Sequence, residues 1–354
     1  MNDFPIVFDG HNDTLLRYLR DDDGFDFFAR NELGHLDLPR AREGGLGGGF
    51  FAVFVPANLK PRATVNEPFT RGNPPPQRRG EPLSLEYSQR MAFAISAQLF
   101  RMERQSAGAL RIARCLRDVE EDLANGVFSA IFHLEGAEPL DPELHALEIY
   151  HAAGLRSLGI VWSRSNCFAH GVPIGMHPSP DIGPGLTEEG FALVRACNEL
   201  GVLIDLSHLN EAGFWDVARV SQAPLVATHS NVHALCPNAR NLTDRQLDAI
   251  AASDGIVGLN FAVSFLHPEG SHDTAATTLE TMVRHIDHLV ERIGIDRVAL
   301  GSDYDGTDIP DVLGDVSGLP KLMAALRASG YGDEELKKIA HENWLRVLRL
   351  TWKN

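Results

Sequence analysis

The strongest constraint on this chain is a repeated alternation. Short runs rich in Val, Ile, Leu and Phe recur at residues 5–9, 49–55, 128–134, 155–161, 202–206, 225–228, 256–261 and 297–301, and each ends in Gly or a polar residue. Strands buried on both faces of a parallel sheet read this way. Helix-period segments at 187–200, 210–220, 243–252 and 277–293 fill the intervals between runs. Eight strand-then-helix units predict an α/β chain closed as a (β/α)8 TIM barrel. The competing fold, an open doubly wound sheet, normally places G-x-G-x-x-G between the first strand and its helix, and none occurs here. The glycine cluster at 44–49 precedes a strand, so it reads as a turn and not as a phosphate cradle.

At 354 residues the chain exceeds the roughly 250 of a plain barrel. The excess falls chiefly after the second strand, in a helical and loop insertion at about 56–125, within a single hydrolase-barrel domain spanning 1–354. The insertion carries a Pro- and Arg-bearing stretch at 71–80, which reads equally as a loop or a lid, then helical segments at 84–105 and 109–124. A further amphipathic helix is expected at 333–350. Lys plus Arg number 32 against 48 Asp plus Glu, a formal charge of −16. That balance repels phosphate backbones, so no nucleic-acid partner is expected. No run reaches the ~18–20 apolar residues of a membrane span, and the start lacks a signal-peptide pattern, so the expected location is cytoplasmic, without membrane association. Cys115, Cys167, Cys197 and Cys236 form no C-x-x-C pair and read as buried thiols.

Barrels of this kind deliver chemistry at the carboxyl ends of their strands. Here those ends carry Asp9-Gly10-His11-Asn12-Asp13, His133-Leu134-Glu135, Asp205-Leu206-Ser207-His208, Thr228-His229-Ser230 and Ser302-Asp303-Tyr304-Asp305. One strand-end His is ordinary. Imidazoles and carboxylates at five ends together point to divalent metal, with zinc or another first-row ion favoured by the absence of thiolate. The set is large enough for a two-metal hydrolase. None of Lys60, Lys321, Lys337, Lys338 and Lys353 lies on a candidate strand, so a bridge between two ions falls to a carboxylate, and Glu135 is the natural choice.

In order and spacing these motifs, with Arg240-Asn241 and Gly301-Ser302-Asp303-Tyr304-Asp305-Gly306, resemble the membrane (renal) dipeptidase family, zinc peptidases related to the amidohydrolase barrels. The resemblance covers nearly the whole chain. It implies two Zn2+ per chain, with His11 and Asp13 on one, His208 and His229 on the other, and Glu135 bridging. It also implies Asp303 as catalytic acid and base, and Arg240 as the anchor of a dipeptide's C-terminal carboxylate. The implied activity is hydrolysis of L-Xaa-L/D-Xaa dipeptides through a metal-bridging hydroxide. A binuclear amidohydrolase acting on another amide or a lactone is the alternative, whereas a deaminase normally shows His-x-His where this chain has His11-x-Asp13. A homodimer is usual in the family, although no hydrophobic surface stripe in the sequence supports one independently.

The chain departs from the pattern after the fourth strand, where Trp162 stands in place of a substrate-contacting His, a feature of bacterial-type members. Trp162 is therefore the expected substrate-binding residue there, while Arg164 and His170 read as loop residues. Asp9 and Asp205 are expected to orient ligands. His133 shares the strand parity of Glu135 without a ligand role in the family. His285 and His288 read as solvated positions on an amphipathic helix.

Overall fold

A computed structural model describes residues 4–19, 24–57, 81–175 and 177–353; the stretch at 71–80 lies outside them. Its strands are β1 (Val7–Asn12), β2 (Leu46–Phe54), β3 (Leu110–Ile112), β4 (Phe128–Glu135), β5 (Leu155–Gly159), β6 (Leu203–Asp205), β7 (Val226–Ala227), β8 (Ile256–Leu259) and β9 (Val298–Leu300). All pair in parallel in the order β1-β2-β4-β5-β6-β7-β8-β9. The ring closes just past β9, where Asn12 bridges Tyr304 and the Asp303 amide donates to the His11 carbonyl at 2.9 Å. This is the (β/α)8 barrel expected from the alternation.

Several boundaries differ from the sequence reading; β2 begins at Leu46, so Gly47, Gly48 and Gly49 lie on the strand and not in a turn before it. The first strand runs on to Asn12, because Asn12 still pairs with Phe51 of β2, so His11 lies on the strand and not after it. The segment 109–124, expected to be all helix, opens with β3. Left-handed Ala107 (φ 50°) and Gly108 (φ 88°) end the preceding helix, Leu85–Gln105, and Leu110 and Ile112 then bury alternate side chains. β3 pairs with Phe128–Ala130 at the start of β4, and β5 takes over the same strand from Phe132 onward. A helix, Leu116–Asn125, follows.

Helices begin where a side-chain oxygen can accept an otherwise orphaned amide. Ser84, Thr187, Asn210, Thr243 and Thr278 do so at the starts of Leu85–Gln105, Glu188–Leu200, Glu211–Val220, Asp244–Ala252 and Leu279–Ile293. The expected helix at 333–350 is instead Asp333–Lys337, a π-helical turn Lys338–Glu342, and Asn343–Thr351. Across that turn Asn343 donates to the carbonyls of Ile295 and Val298, anchoring the last helix to the barrel.

That last helix plugs the barrel. Phe8, Phe50, Ile131, Leu203, Val226, Ile256 and Ala299, one from each of seven strands, form a single cluster with Trp344, Val347 and Leu348. Only the barrel interior brings those strands together. The Trp344 indole donates to the Leu300 carbonyl at 3.1 Å, and a Cβ on Gly10 would stand 2.5 Å from its ring, so glycine is required at that point of β1. Truncating this fully buried ring in Trp344→Ala is expected to destabilise the fold by about 3–5 kcal/mol, read from the midpoint of urea denaturation. With the amino-terminal end filled by apolar side chains, the opposite end is left for chemistry.

Two minor expectations are corrected. His285 is buried, not solvated: its Nδ1 accepts from the Val232 amide at 3.2 Å and its Nε2 lies 3.0 Å from the Leu266 carbonyl, joining a helix to a barrel-end loop. His288 is half-buried and paired with Asp244 at 3.0 Å. Of the cysteines, Cys197 and Cys236 are buried, but Cys115 is half-buried and Cys167 exposed. Among the described residues, no helix is long and apolar enough to cross a membrane.

Candidate metal and catalytic centre

The carboxyl ends of β1, β4, β6 and β7 bring five of the expected residues together. Glu135, the last residue of β4, points its two oxygens at different neighbours. Oε2 lies 3.7 Å from His11 Nε2, which is 3.6 Å from Asp13 Oδ2. Oε1 lies 3.1 Å from His208 Nε2 and 3.8 Å from His229 Nε2, and those two nitrogens face each other at 3.2 Å. The arrangement is two half-sites sharing one carboxylate.

Each histidine of the second half-site is held from behind. Thr228 Oγ1 donates to Asp205 Oδ2 at 2.5 Å, so its oxygen is free to accept from His229 Nδ1 at 2.7 Å, which leaves Nε2 as a bare lone pair. Asp205 is fixed in turn by the amides of Ser207 and Thr228. Ser163 Oγ lies 2.8 Å from His208 Nδ1 and holds that ring in the same way. Asp9 accepts from the Ser302 amide and hydroxyl and so fixes the start of the Asp303 loop. Such outer hydrogen bonds set tautomer and ring orientation at metal sites. Ser163 and Thr228 escape sequence reasoning because hydroxyls at strand ends are common, and only the three-dimensional pairing distinguishes these two.

Asp303 follows β9 in a left-handed conformation (φ 61°), and His208 shares this strain (φ 70°). Such backbone persists where surrounding contacts enforce it. Asn260, just past β8, donates from Nδ2 to Asp303 Oδ2 at 2.9 Å. It is a third residue missed in the sequence, where it lies inside the apolar run 256–261; the strand itself stops at Leu259 and leaves Asn260 at its end. Gly306 packs so closely here that a Cβ would stand 2.1 Å from Asp13 Oδ2 and 2.5 Å from Asp303 Oδ1.

Arg240 is buried beside this group. Nη1 donates to Ser230 Oγ and Nη2 to the His229 carbonyl, both at 2.9 Å. Each terminal nitrogen keeps one further N–H. Trp162 is half-buried, with its ring 5.7 Å from that of His208 and 4.9 Å from that of Phe54. Arg164 is buried against Glu138 at 3.0 Å and lies over both aromatic rings, and His170 contacts Ser165, so neither enters the polar cluster.

The electrostatics fit bound dications. Burial and the neighbouring Asp13 raise Glu135 well above the usual carboxylate range, and burial with Arg240 and His11 close by holds His208 and His229 well below theirs. Burial opposes the His11 imidazolium, but Glu135, Asp13 and Asp303 outweigh it and push the ring up to about 10. Burial raises Asp303 to about 6. These are carboxylates crowded beyond what they tolerate as neighbouring anions, with one imidazole, His11, drawn toward its cation by them and two, His208 and His229, kept neutral. His11 Nδ1 and Nε2 and Asp13 Oδ1 are also buried without a hydrogen-bond partner. Bare nitrogens and excess negative charge converging at 3.1–3.8 Å are what a divalent cation satisfies.

A parallel barrel with such a centre at its carboxyl end defines a metal-dependent hydrolase. The comparisons narrow this. Residues 1–353 match the profile of the membrane dipeptidase family, peptidase family M19. A metallopeptidase from Rhodobacter sphaeroides, solved with a phosphinate mimic of the dipeptide L-Ala-D-Ala, superposes with a TM-score of 0.90 at 46% identity, covering 99% of this chain and 100% of that one. An uncharacterized protein in the pqqA 5′ region of Klebsiella pneumoniae is 48% identical, over 77% of this chain and 98% of its own length. The dipeptidase tcpJ of Claviceps purpurea is 30% identical, over 96% of this chain and 76% of its own. The chain belongs to the membrane dipeptidase family and is a metallo-dipeptidase.

Proposed function

We propose that the chain holds two Zn2+ ions, with His11 and Asp13 on one, His208 and His229 on the other, and Glu135 between them, and hydrolyses dipeptides with a free C-terminal carboxylate. The observation that carries this reading is the division of the Glu135 oxygens between two pairs of ligands. When bound, such a pair of ions supplies an acidified water at neutral pH and a Lewis acid for the scissile carbonyl.

The chain's own residues do the rest. Asn260 holds Asp303 by Oδ2, which leaves Oδ1 to take the proton of the attacking water and return it to the leaving amine. The spare N–H groups of Arg240 offer a planar fork to the substrate carboxylate, which restricts the site to short peptides. Trp162 and Phe54 line the His208 side of the site with aromatic surface. The phosphinate mimic bound by the Rhodobacter sphaeroides enzyme supports acceptance of a D-residue at the C-terminal position.

A panel pairing each dipeptide with its C-terminal amide tests the role of Arg240. The free acids should be hydrolysed and the amides poorly so, and Arg240→Ala should raise KM for the acids by about 10–100-fold, the weight of a charge-assisted pair of about 1.5–3 kcal/mol. Equal turnover of acids and amides would remove Arg240 from substrate binding.

A further inference from the structure

One layer deeper in the barrel lies a second polar cluster. His133 stands two residues before Glu135 on β4 and shares its inward face. It is fully buried, with Nδ1 2.9 Å from Ser157 Oγ on β5. Its Nε2 has no hydrogen-bond partner and lies 3.9 Å from Asp205 Oδ2. The His11 ring meets His133 edge-on at 5.4 Å between centroids, and one ligand atom from each of His11, His133 and Asp205 lies within 4.8 Å of the others.

The hydrogen bonds already made by Asp205, more than spacing, decide what fits among them. Two ligands about 2.1 Å from a tetrahedral zinc stand about 3.4 Å apart, the scale of the 3.1–3.8 Å separations around Glu135. Two groups hydrogen-bonded at about 2.8 Å to one water stand about 4.6 Å apart. The one close approach in the deeper cluster, 3.9 Å between His133 Nε2 and Asp205 Oδ2, falls between these two spacings. Asp205 also already accepts from Ser207, from the Thr228 amide and from the Thr228 hydroxyl, which suits one more hydrogen bond better than a dication. The buried, unpartnered His133 Nε2 facing Asp205 Oδ2 is a position that an internal water satisfies.

We infer that His11, His133 and Asp205 hold one internal water, and that His133 is through it a positioning residue for the His11 ring. This rests on His11 being a metal ligand. His11 Nε2 faces Asp13 and Glu135, and the water gives Nδ1 the outer partner that ligating histidines require. Asp205 then braces both half-sites, His229 through Thr228 and His11 through the water.

Two substitutions separate this role from packing. His133→Phe keeps an aromatic ring against Phe50 but removes the nitrogen, and His133→Gln keeps a hydrogen-bonding end. Zinc retention is read by competition with a chelator, and folding by the melting temperature of the metal-free proteins. His133→Phe should lose zinc about 10–100-fold more readily than the wild type, with His133→Gln recovering most of the difference. A crystal structure of the zinc-loaded wild type should show a water at hydrogen-bond distance from His133 Nε2. Should His133→Phe fail to fold, Ser157→Ala frees the same ring and should show a smaller loss of the same kind. Unchanged zinc retention in His133→Phe, equal loss in both His133 variants, or a third zinc at this position would overturn the inference while leaving the metal centre intact. A wild type that binds no zinc would instead overturn the reading of the centre itself.

Discussion

Asp303→Asn is expected to lower kcat by about 10²–10⁴-fold, the contribution of a positioned acid and base, while leaving zinc content and KM close to those of the wild type. The substitution isolates chemistry from structure. Asn tolerates the left-handed backbone that Asp303 adopts at φ 61°, and its side-chain oxygen can still accept from Asn260 Nδ2. Only the proton-carrying oxygen is lost. Steady-state kinetics combined with metal analysis of the same preparation checks this, and a comparable loss of zinc would recast Asp303 as a ligand.

Glu135→Gln has the other large expected effect, and its cause differs. The carboxylate faces both half-sites, at 3.7 Å from His11 Nε2 and 3.1 Å from His208 Nε2. An amide retains one oxygen and no charge, so both ions should be bound weakly. Losing several kcal/mol of Lewis-acid stabilisation corresponds to roughly a 10³-fold drop in turnover. Metal analysis should show zinc falling at both sites together, whereas Arg240→Ala should keep its full complement. Equal zinc loss in the two variants would contradict the bridging role.

The barrel was readable because it rests on local signals. Each buried run has strand length, each helix from Leu85 to Ile293 that begins at Ser84, Thr187, Asn210, Thr243 or Thr278 carries its own capping side chain, and the strand-end carboxylates and imidazoles follow from that frame. What stayed hidden depends on partners distant in sequence. β3 is three residues long and exists because the start of β4 offers a free edge. The buried state of His285 depends on accepting from Val232, 53 residues away. Asn260, Ser163 and Thr228 are ordinary polar residues until the barrel brings Asp303, His208 and His229 beside them. Periodicity shows which face a side chain takes, but not which group waits there.

The central claim is that this barrel hydrolyses dipeptides through two ions gathered around Glu135. The most direct test is zinc content of the purified protein, measured alongside dipeptide hydrolysis before chelation, after it, and after zinc is restored. The account predicts about two zinc ions per chain, as a two-metal hydrolase requires, with hydrolysis abolished by chelation and recovered with the metal. Full hydrolysis after the metal is removed, or full activity at fewer than about one ion per chain, would contradict it.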